Sequence, residues 1–435
     1  MRRSARFSLV LVVAGCTALL GQNTGSTIRH HKVAVESSVS PDLTQAEADI
    51  EKKRYAEAEP LLHKVIAADP ENYEAWFDLG FVCNGLGKTQ DSIDAYRKSV
   101  AARPDVFESN LNLGLMLAKT GDPNSEQFLR AATTLKPTAN INEGHARAWL
   151  SLAHVVENRN PDEAIDAYKK AAALQPNNPE PLLSAGALFE KENRFSDAEQ
   201  QYKHALALDA SSEDALTGLA NIYMRGQRFA DAEPLLRRLV SLHPGDAPAR
   251  LQLGRVLAAA GKDDDAIAEL QIVEKLEPSN TTLQRDLAGL YSSAGKLADA
   301  EKSYRSLLAA SPNDAELHHA LGVVLMRERR FPDAQEELLK AVTLKPDFGG
   351  AYGDLAAAAS ENKNYELAIK ATDARAKFLP EIPASYFLRA SAYDHLRDYK
   401  LAAQNYHKFL EVANGQYPDQ EWQAKHRLLA IEPKR

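Results

Sequence analysis

The sequence repeats itself with a period of 34 residues over most of its length. Prolines mark this period at Pro244, Pro278, Pro312, Pro346 and Pro380, each 34 residues after the previous one. A second series in one register consists of alanines, namely Ala164, Ala198, Ala232, Ala266, Ala300, Ala334, Ala368 and Ala402. A period of this length is typical of a unit of two short helices and two turns, which buries its apolar face only against neighbouring units.

The pattern inside one period predicts two amphipathic helices joined by a turn. In the first helix the apolar residues fall at i, i+3, i+4 and i+7, as Leu216, Leu219, Ala220 and Tyr223. After a turn at residues 226–228, the second helix carries the apolar residues Ala232, Leu236 and Leu239. Pro244 predicts the end of that helix, since proline disfavours the helical conformation of the residue before it. Small residues at Gly254, Ala288 and Gly322 mark the place where the two helices of a pair should cross closely.

These residues resemble the tetratricopeptide repeat, which places Trp, Leu-Gly, Tyr, Ala, Phe, Ala and Pro along 34 positions. One unit matches through Trp76, Leu79, Gly80, Tyr96 and Pro104, and another through Leu287, Ala288, Tyr291, Gly295, Ala300, Tyr304 and Pro312. The resemblance implies an all-α, right-handed superhelical solenoid of about eleven repeats between residues 43 and 414. Repeats one to three would occupy residues 42–137, and repeats four to eleven residues 145–414.

Three features depart from a uniform array. Residues 138–144 include an insertion of five residues and form a candidate hinge. Pro60 and Pro234 fall a few residues into second helices, so we expect those helices to start later or to bend there. Residues 415–435 are predicted to form a C-terminal capping helix, with Trp422, Leu428 and Leu429 on one side.

The first residues have the pattern of an export signal. Arg2, Arg3 and Arg6 precede a short apolar run at residues 7–14, which predicts a signal peptide over residues 1–15. The sequence Val13-Ala14-Gly15-Cys16 resembles a bacterial lipobox, which implies cleavage before Cys16 and its lipidation. An ordinary signal peptide cut later and an uncleaved anchor are the alternatives. Residues 16–41 then form a flexible tether, and the protein is expected in the cell envelope, either membrane-anchored or periplasmic.

Composition and motifs argue against several function classes. The 52 Lys+Arg and 60 Asp+Glu give a net charge of -8, which does not suit nucleic-acid binding. Two cysteines form neither a disulfide framework nor a Cys-rich metal site. Gly87-Lys88-Thr89 resembles the end of a P-loop, but the glycine that a P-loop needs five residues earlier is Val82. Cys83 falls at a core position, which does not suit a catalytic thiol. His318 and His319 have no third residue spaced to complete a metal site. We therefore predict no enzyme activity, no metal and no cofactor.

The resemblance to the family implies a partner-binding groove lined by first-helix side chains next to the core stripe. The residues at these positions are Asn221, Arg225, Arg255, Arg285, His319 and Arg327. Arginine suits carboxylates, so an acidic or C-terminal segment of a partner protein is the expected ligand. The alternative is that these arginines pair with local acids such as Asp286 or Glu328.

The same groove is apolar in the earlier repeats. Its residues there are Phe77, Phe81, Leu111, Leu115, Leu150 and Leu183. An amphipathic helix, the tether, or ordinary packing between repeats would each explain this pattern. The function predicted overall is a non-enzymatic protein-interaction scaffold of the cell envelope. The alternatives are an assembly factor for a secretion, pilus or outer-membrane complex, and an accessory subunit of an envelope enzyme.

Overall fold

The computed structural model describes residues 40–432 of the chain. Within that range the protein consists of 23 α-helices and contains no β-strand. The chain divides into two compact units, whose described parts are residues 40–242 and residues 243–432. They are called the N-terminal unit and the C-terminal unit below. No helix within residues 40–432 combines the length and the hydrophobicity that crossing a membrane would require.

The N-terminal unit contains six helix pairs, formed by helices α1 to α12. Their bounds are α1 Pro41–Glu51, α2 Tyr55–Ala68, α3 Tyr73–Gly85, α4 Thr89–Ala102, α5 Phe107–Lys119, α6 Ser125–Thr134, α7 Ile141–Val156, α8 Pro161–Leu174, α9 Glu180–Lys191, α10 Phe195–Leu208, α11 Glu213–Arg225 and α12 Phe229–Leu242. The odd-numbered helix of each pair is called the first helix and the even-numbered one the second helix.

The C-terminal unit contains five further pairs and one single helix. Their bounds are α13 Ala247–Ala259, α14 Asp263–Leu276, α15 Thr281–Ser293, α16 Leu297–Ala310, α17 Ala315–Arg327, α18 Phe331–Leu344, α19 Gly349–Glu361, α20 Tyr365–Ala376, α21 Pro383–His395, α22 Tyr399–Ala413 and α23 Pro418–Ile431. In each unit every helix packs on the helices next to it in the sequence. The predicted all-α array of about eleven helix pairs is therefore confirmed.

The predicted apolar stripes form the core. In the pair α11–α12, Leu216, Leu219, Ala220, Tyr223, Ala232, Leu236 and Leu239 are all buried. The alanine series from Ala164 to Ala402 is at most 1% exposed at every position. An alanine at this position lets neighbouring helices approach, because it has no side chain beyond Cβ.

The small residues at the helix crossings are required by packing. A Cβ atom added to Gly254 would lie 2.5 Å from Leu270 Cδ2, and one added to Gly322 would lie 2.6 Å from Leu338 Cγ. Ala288, at the matching position of α15, is fully buried. The prediction of close crossings is therefore confirmed.

Two residues after most first helices, the chain has a residue with left-handed backbone conformation. In the N-terminal unit these residues are Lys53, Gly87, Gly121, Asn193 and Gln227, and in the C-terminal unit Gly261, Gly295, Arg329, Lys363 and Arg397. The next residue then donates its N–H back to the helix, as Arg228 does to the Tyr223 carbonyl at 2.8 Å. Glycine accepts this conformation without strain, whereas Gln227 adopts it at φ 55°.

Pro60 and Pro234 do not delay their helices. The second helices that contain them begin at Tyr55 and Phe229, in register with the other repeats, so a later start is wrong. Both prolines are solvent-exposed, which leaves room for the ring on the outer side of the helix. A bend at each proline stays a prediction.

Helix α23, Pro418–Ile431, lies within the segment 415–435 where a capping helix is predicted, but its apolar residues do not share one side. Leu428 and Ala424 are buried in the cluster that α22 contributes to, whereas Trp422 is 61% exposed and Leu429 is 76% exposed. Adjacent residues on a helix diverge by about 100°, so Leu428 and Leu429 cannot both face α22.

Candidate partner-binding surfaces

Carboxylates of neighbouring repeats hold the predicted arginines on the first helices of the C-terminal unit. Arg255 on α13 donates from Nη2 to Asp286 Oδ2 of α15 at 2.8 Å, and from Nε at 3.2 Å. Arg285 on α15 donates from Nη2 to Asp314 Oδ2 at 2.6 Å. Asp314 is also the N-cap of α17, where its other oxygen accepts the backbone N–H groups of Glu316 and Leu317 at 3.0 Å.

His319 and Arg327, both on α17, contact the next and the preceding first helix, respectively. His319 Nε2 lies 2.7 Å from Asp354 Oδ2 of α19, and its ring lies 4.8 Å from the Phe348 ring. Arg327 donates to the backbone carbonyl of Ser292 and, at 3.2 Å, to the Ser292 hydroxyl. Arg255, Arg285, His319 and Arg327, with these acceptors, are called the arginine ladder below.

The ladder shows which local acids pair with the predicted groove residues. Asp286 forms an ion pair with Arg255, as expected if the arginines pair with local acids. Glu328, the other acid named for that alternative, instead pairs with Arg330 at 3.3 Å. The guanidinium groups keep further donors: Nη1 of Arg255 and the Nε and Nη1 atoms of Arg285 are not used in these ion pairs. Since the two arginine side chains are 29% and 39% exposed, those donors lie within reach of a ligand.

The pKa of Asp314, one of the acids in the arginine ladder, is lowered by its surroundings. Burial by itself raises the pKa of Asp314, but hydrogen bonds from Arg285 and from the Leu317 N–H outweigh it and lower the pKa. The carboxylate is therefore ionised at neutral pH. It fixes Arg285 in place as a charged partner.

The two remaining predicted groove residues lie on α11 of the N-terminal unit. Arg225 places its guanidinium 5.6 Å from the centre of the Phe195 ring, and Asn221 is half-buried. Burial raises the pKa of nearby Glu190, and the charge of Arg225 counteracts part of that rise. Arg225 thus packs against the preceding repeat, α9–α10.

The residues of the predicted apolar groove lie on α3, α5, α7 and α9, and most of them are buried. Phe77, Leu111, Leu115 and Leu150 are at most 7% exposed, whereas Phe81 and Leu183 are half-buried. On α5, all eleven consecutive residues from 107 to 117 are buried.

Acidic groups accompany these apolar residues. Burial raises the pKa of Glu74 on α3, and the charges of Asp78 on α3 and Glu47 on α1 raise it further. On α5, Glu108 Oε1 accepts hydrogen bonds from Thr138 N at 2.9 Å and Thr138 Oγ1 at 2.7 Å. Within residues 40–432 nothing donates a hydrogen bond to Glu108 Oε2, which is buried.

Glu108 borders a cavity of about 30 Å³ between α5 and the insertion at residues 138–144. The other lining residues are Phe107, Leu111, Asn112, Ala139, Asn140, Glu143, Gly144 and Arg147. The insertion is thus packed on α5, and its suggested role as a hinge stays a prediction. One set of apolar and acidic residues on α1, α3, α5 and α7 is called the N-terminal face below. Its apolar residues are Phe77, Phe81, Leu111, Leu115 and Leu150, and its acidic residues are Glu47, Glu74, Asp78 and Glu108.

A further set of ion pairs was not predicted from the sequence. Basic residues just before second helices pair with carboxylates of the preceding second helix, as in Lys88–Glu59 at 2.6 Å, Arg228–Glu199 at 2.9 Å, Lys296–Asp264 at 2.7 Å and Arg330–Glu301 at 2.9 Å. The signal was available in part, because Arg228, Lys296 and Arg330 are themselves separated by 68 and 34 residues. These pairs link successive repeats on the second-helix side.

Cys83 and His318 have structural surroundings. Burial raises the pKa of the Cys83 thiol to about 11, which keeps it protonated in the core between the first helix pairs. His318 lies between Glu337 Oε2 at 2.6 Å and the Pro312 carbonyl at 2.9 Å. Within the described residues no group of three or more His, Cys, Asp or Glu side chains is arranged to hold a metal ion.

The fold and these surfaces define a helical-repeat protein-interaction scaffold. Two family models, each described as tetratricopeptide repeat, match the chain. One matches residues 43–106, 84–140, 124–179 and 319–376, and the other residues 189–241 and 223–279. Because these matches together span well over half of the sequence, the chain belongs to the tetratricopeptide repeat family.

Solved structures with similar folds include a repeat protein from Cytophaga hutchinsonii, YrrB and yeast Tom70. The C-terminal part of a repeat protein from Cytophaga hutchinsonii is 16% identical, with a TM-score of 0.48, over 55% of this chain and 97% of that one. YrrB, described as having an unusual peptide-binding site, is 22% identical, with a TM-score of 0.39, over 43% and 96% of the two chains. Yeast Tom70 is 14% identical, with a TM-score of 0.34, over 90% of this chain and 94% of that one.

No curated protein matches the sequence significantly. Because every TM-score is below 0.5, the family assignment depends on the family models. The predicted signal peptide, the tether up to residue 39 and the lipobox cysteine Cys16 lie outside the described residues.

Proposed function

We propose that this protein is a non-enzymatic scaffold of the cell envelope that binds an acidic segment of a partner protein along the arginine ladder. The observation that carries the proposal is the fixed position of Arg255 and Arg285, each anchored by a carboxylate of the next repeat. An anchored guanidinium loses less conformational entropy when a ligand binds than a freely rotating one does. Its unused N–H donors then offer hydrogen bonds to carboxylates in an extended chain.

The local acids set the expected strength of this interaction. Asp286, Asp314 and Asp354 neutralise most of the ladder's charge, so attraction over long distances should be weak. Binding would depend on directed hydrogen bonds to charged groups, each contributing about 1.5–3 kcal/mol. Several repeats acting together would give a useful affinity for one segment, as expected for a scaffold.

The experiment uses a fluorescent decapeptide rich in Asp and Glu with a free C-terminal carboxylate. Replacing Arg255→Glu together with Arg285→Glu should weaken its binding to the full chain at least tenfold. The matched control is Lys296→Glu with Arg330→Glu, which makes the same charge change on the second-helix side and should leave affinity within about twofold. Equal losses in the two double variants would show a general charge effect and refute the proposed site.

The envelope location is supported by the basic and apolar residues at the N-terminus and by the lipobox-like sequence. Lipidation at Cys16 would hold the protein at a membrane while the repeats remain in the aqueous phase. Cys16→Ser should then move the protein from the membrane to the soluble fraction on cell fractionation. An unchanged distribution would refute lipidation and favour a different form of the export signal.

The same surfaces would also suit an assembly factor for a secretion, pilus or outer-membrane complex. An accessory role beside an envelope enzyme is a further alternative. Crosslinking in intact envelopes followed by mass spectrometry would separate them, because it identifies the bound partner. A partner without an acidic segment at the crosslink would contradict the ligand proposed here.

A further inference from the structure

Helix α5 is covered on a side that the matching helix of the C-terminal unit leaves accessible. The crossing residues Gly114 and Ala288 align α5 with α15. At the positions three before and one after the crossing residue, α15 has the half-buried Arg285 and Gly289. The corresponding residues of α5, Leu111 and Leu115, are 5% and 7% exposed.

The insertion explains only part of this difference. Its residue Thr138 covers Glu108 through two hydrogen bonds, near the start of α5. Leu115 lies seven residues later, which is two helical turns or about 10 Å along the same side. The position that matches Leu115 is also apolar in the preceding repeat, where it is the half-buried Phe81 on α3.

The charges of the N-terminal face call for a cationic ligand. Asp78 and Glu47 each act on Glu74 with their negative charge, and the charge of Arg103 counteracts only part of the resulting rise in its pKa. Glu108 supplies the second, independent observation, since its buried Oε2 accepts no hydrogen bond from residues 40–432. A buried carboxylate oxygen without a donor is costly, and a ligand that supplies one is favoured.

One segment of the chain outside the described residues has the required chemistry. Residues 28–35 read Ile28-Arg29-His30-His31-Lys32-Val33-Ala34-Val35. They combine two permanent cations with three apolar side chains larger than alanine. The segment remains in the chain whether or not the signal is removed before Cys16.

The segment is also close enough along the chain. Lys32 precedes Ser40, where the described chain begins, by eight residues, which span at most about 28 Å when extended. Packed helices lie about 8–10 Å apart, so α5 is about 20 Å from α1. Residues before Lys32 can therefore reach α5 without strain.

We propose that residues 28–35 bind to the N-terminal face, with Arg29 and Lys32 next to its carboxylates and Ile28, Val33 and Val35 on its leucines and phenylalanines. The chain then carries an internal competitor for this face, and an external ligand must displace it. This surface is separate from the arginine ladder, so the two proposals can fail independently.

The experiment measures binding of a labelled synthetic peptide of residues 26–37 to the full chain and to a variant lacking residues 28–35. A tethered segment has an effective concentration in the millimolar range, so it should outcompete the peptide in the full chain. We expect at least tenfold tighter binding to the deletion variant. A peptide with Glu at positions 29 and 32 should not bind either protein.

Two substitutions in the deletion variant locate the site. Glu108→Gln and, separately, Glu74→Gln should each weaken peptide binding about fivefold or more, whereas Glu192→Gln at an exposed turn should not change it. Glu74 is only half-buried, so its variant tests the site even if Glu108→Gln unfolds α5. Equal affinity of the full chain and the deletion variant, no binding to either, or indifference to Glu74→Gln would each overturn the proposal.

Discussion

The first helices of the two units are built on one repeat but present different side chains. Around the crossing position, α5 presents Leu111 and Leu115, whereas α15 presents Arg285 and Gly289. In the N-terminal unit these side chains are buried, and in the C-terminal unit they are half-exposed. The comparison teaches that the repeat fixes where a side chain lies, while the residue at that position decides whether it packs in an apolar surface or forms ion pairs.

The largest expected difference between the units concerns truncation of first-helix side chains. Phe77→Ala should cost about 3–5 kcal/mol, since it removes a fully buried ring and leaves a cavity. Arg285→Ala should cost less than about 1 kcal/mol, because its ion pair with Asp314 is partly solvent-exposed. Urea denaturation followed by helical circular dichroism measures both. Similar losses for the two variants would remove the distinction between a structural and an accessible face.

The helix crossings should, in contrast, behave alike in both units. Gly114→Val and Gly254→Val each place a side chain within 3 Å of a buried leucine, Leu129 or Leu270. Each should cost about 1–3 kcal/mol through overpacking. Gly245→Ala is the control, because its Cβ would meet no atom within 4 Å, and it should leave the denaturation midpoint unchanged. A large effect in only one unit would show that the crossings are not equivalent.

The smallest effect is a pH dependence of opposite sign in the two units. Burial, and then Asp78 and Glu47, raise the pKa of Glu74, so the folded state binds its proton more tightly than the unfolded state. Stability at this site falls as pH rises from the unfolded value of 4.5 through the folded pKa. Glu74→Gln should therefore be more stable than the parent at pH 7, with the gain lost near pH 4.

Asp314 should behave in the opposite way. Arg285 and the α17 N–H groups outweigh burial and lower its pKa, so its stabilisation is present above 3.8 and is lost as pH falls through the folded pKa. Asp314→Asn should be less stable than the parent at pH 7, and the gap should close towards pH 3. Thermal unfolding across this pH range tests both signs, and parallel pH profiles for the two variants would contradict the assignment.

The sequence placed the candidate site residues on first helices, but it did not reveal their pairing. The 34-residue period placed Arg255, Arg285, His319 and Arg327 on one side of successive first helices. It left open whether their partners are local acids or a ligand. Asp286 and Asp314 lie about 30 residues from the arginines that they bind, and only packing of neighbouring repeats brings them within 3 Å.

The same limit applies near the start of the first helices. The residue six positions after a proline donates a hydrogen bond to that proline's carbonyl in five repeats, through the donors Trp76, Asn110, Arg250, Gln284 and His318. The repeat pattern names tryptophan at this position, yet the structure shows that several N–H donors serve there. Residue type alone did not reveal that common role, since the five side chains differ in size, shape and charge.

The sequence by itself determined the architecture, because a strict period of small, apolar and proline residues is satisfied only by repeated helix pairs that pack on one another. The tertiary structure decided which faces are closed and which stay accessible. That depends on contacts between residues about 30 positions apart, whose distances follow from helix packing and not from local propensity.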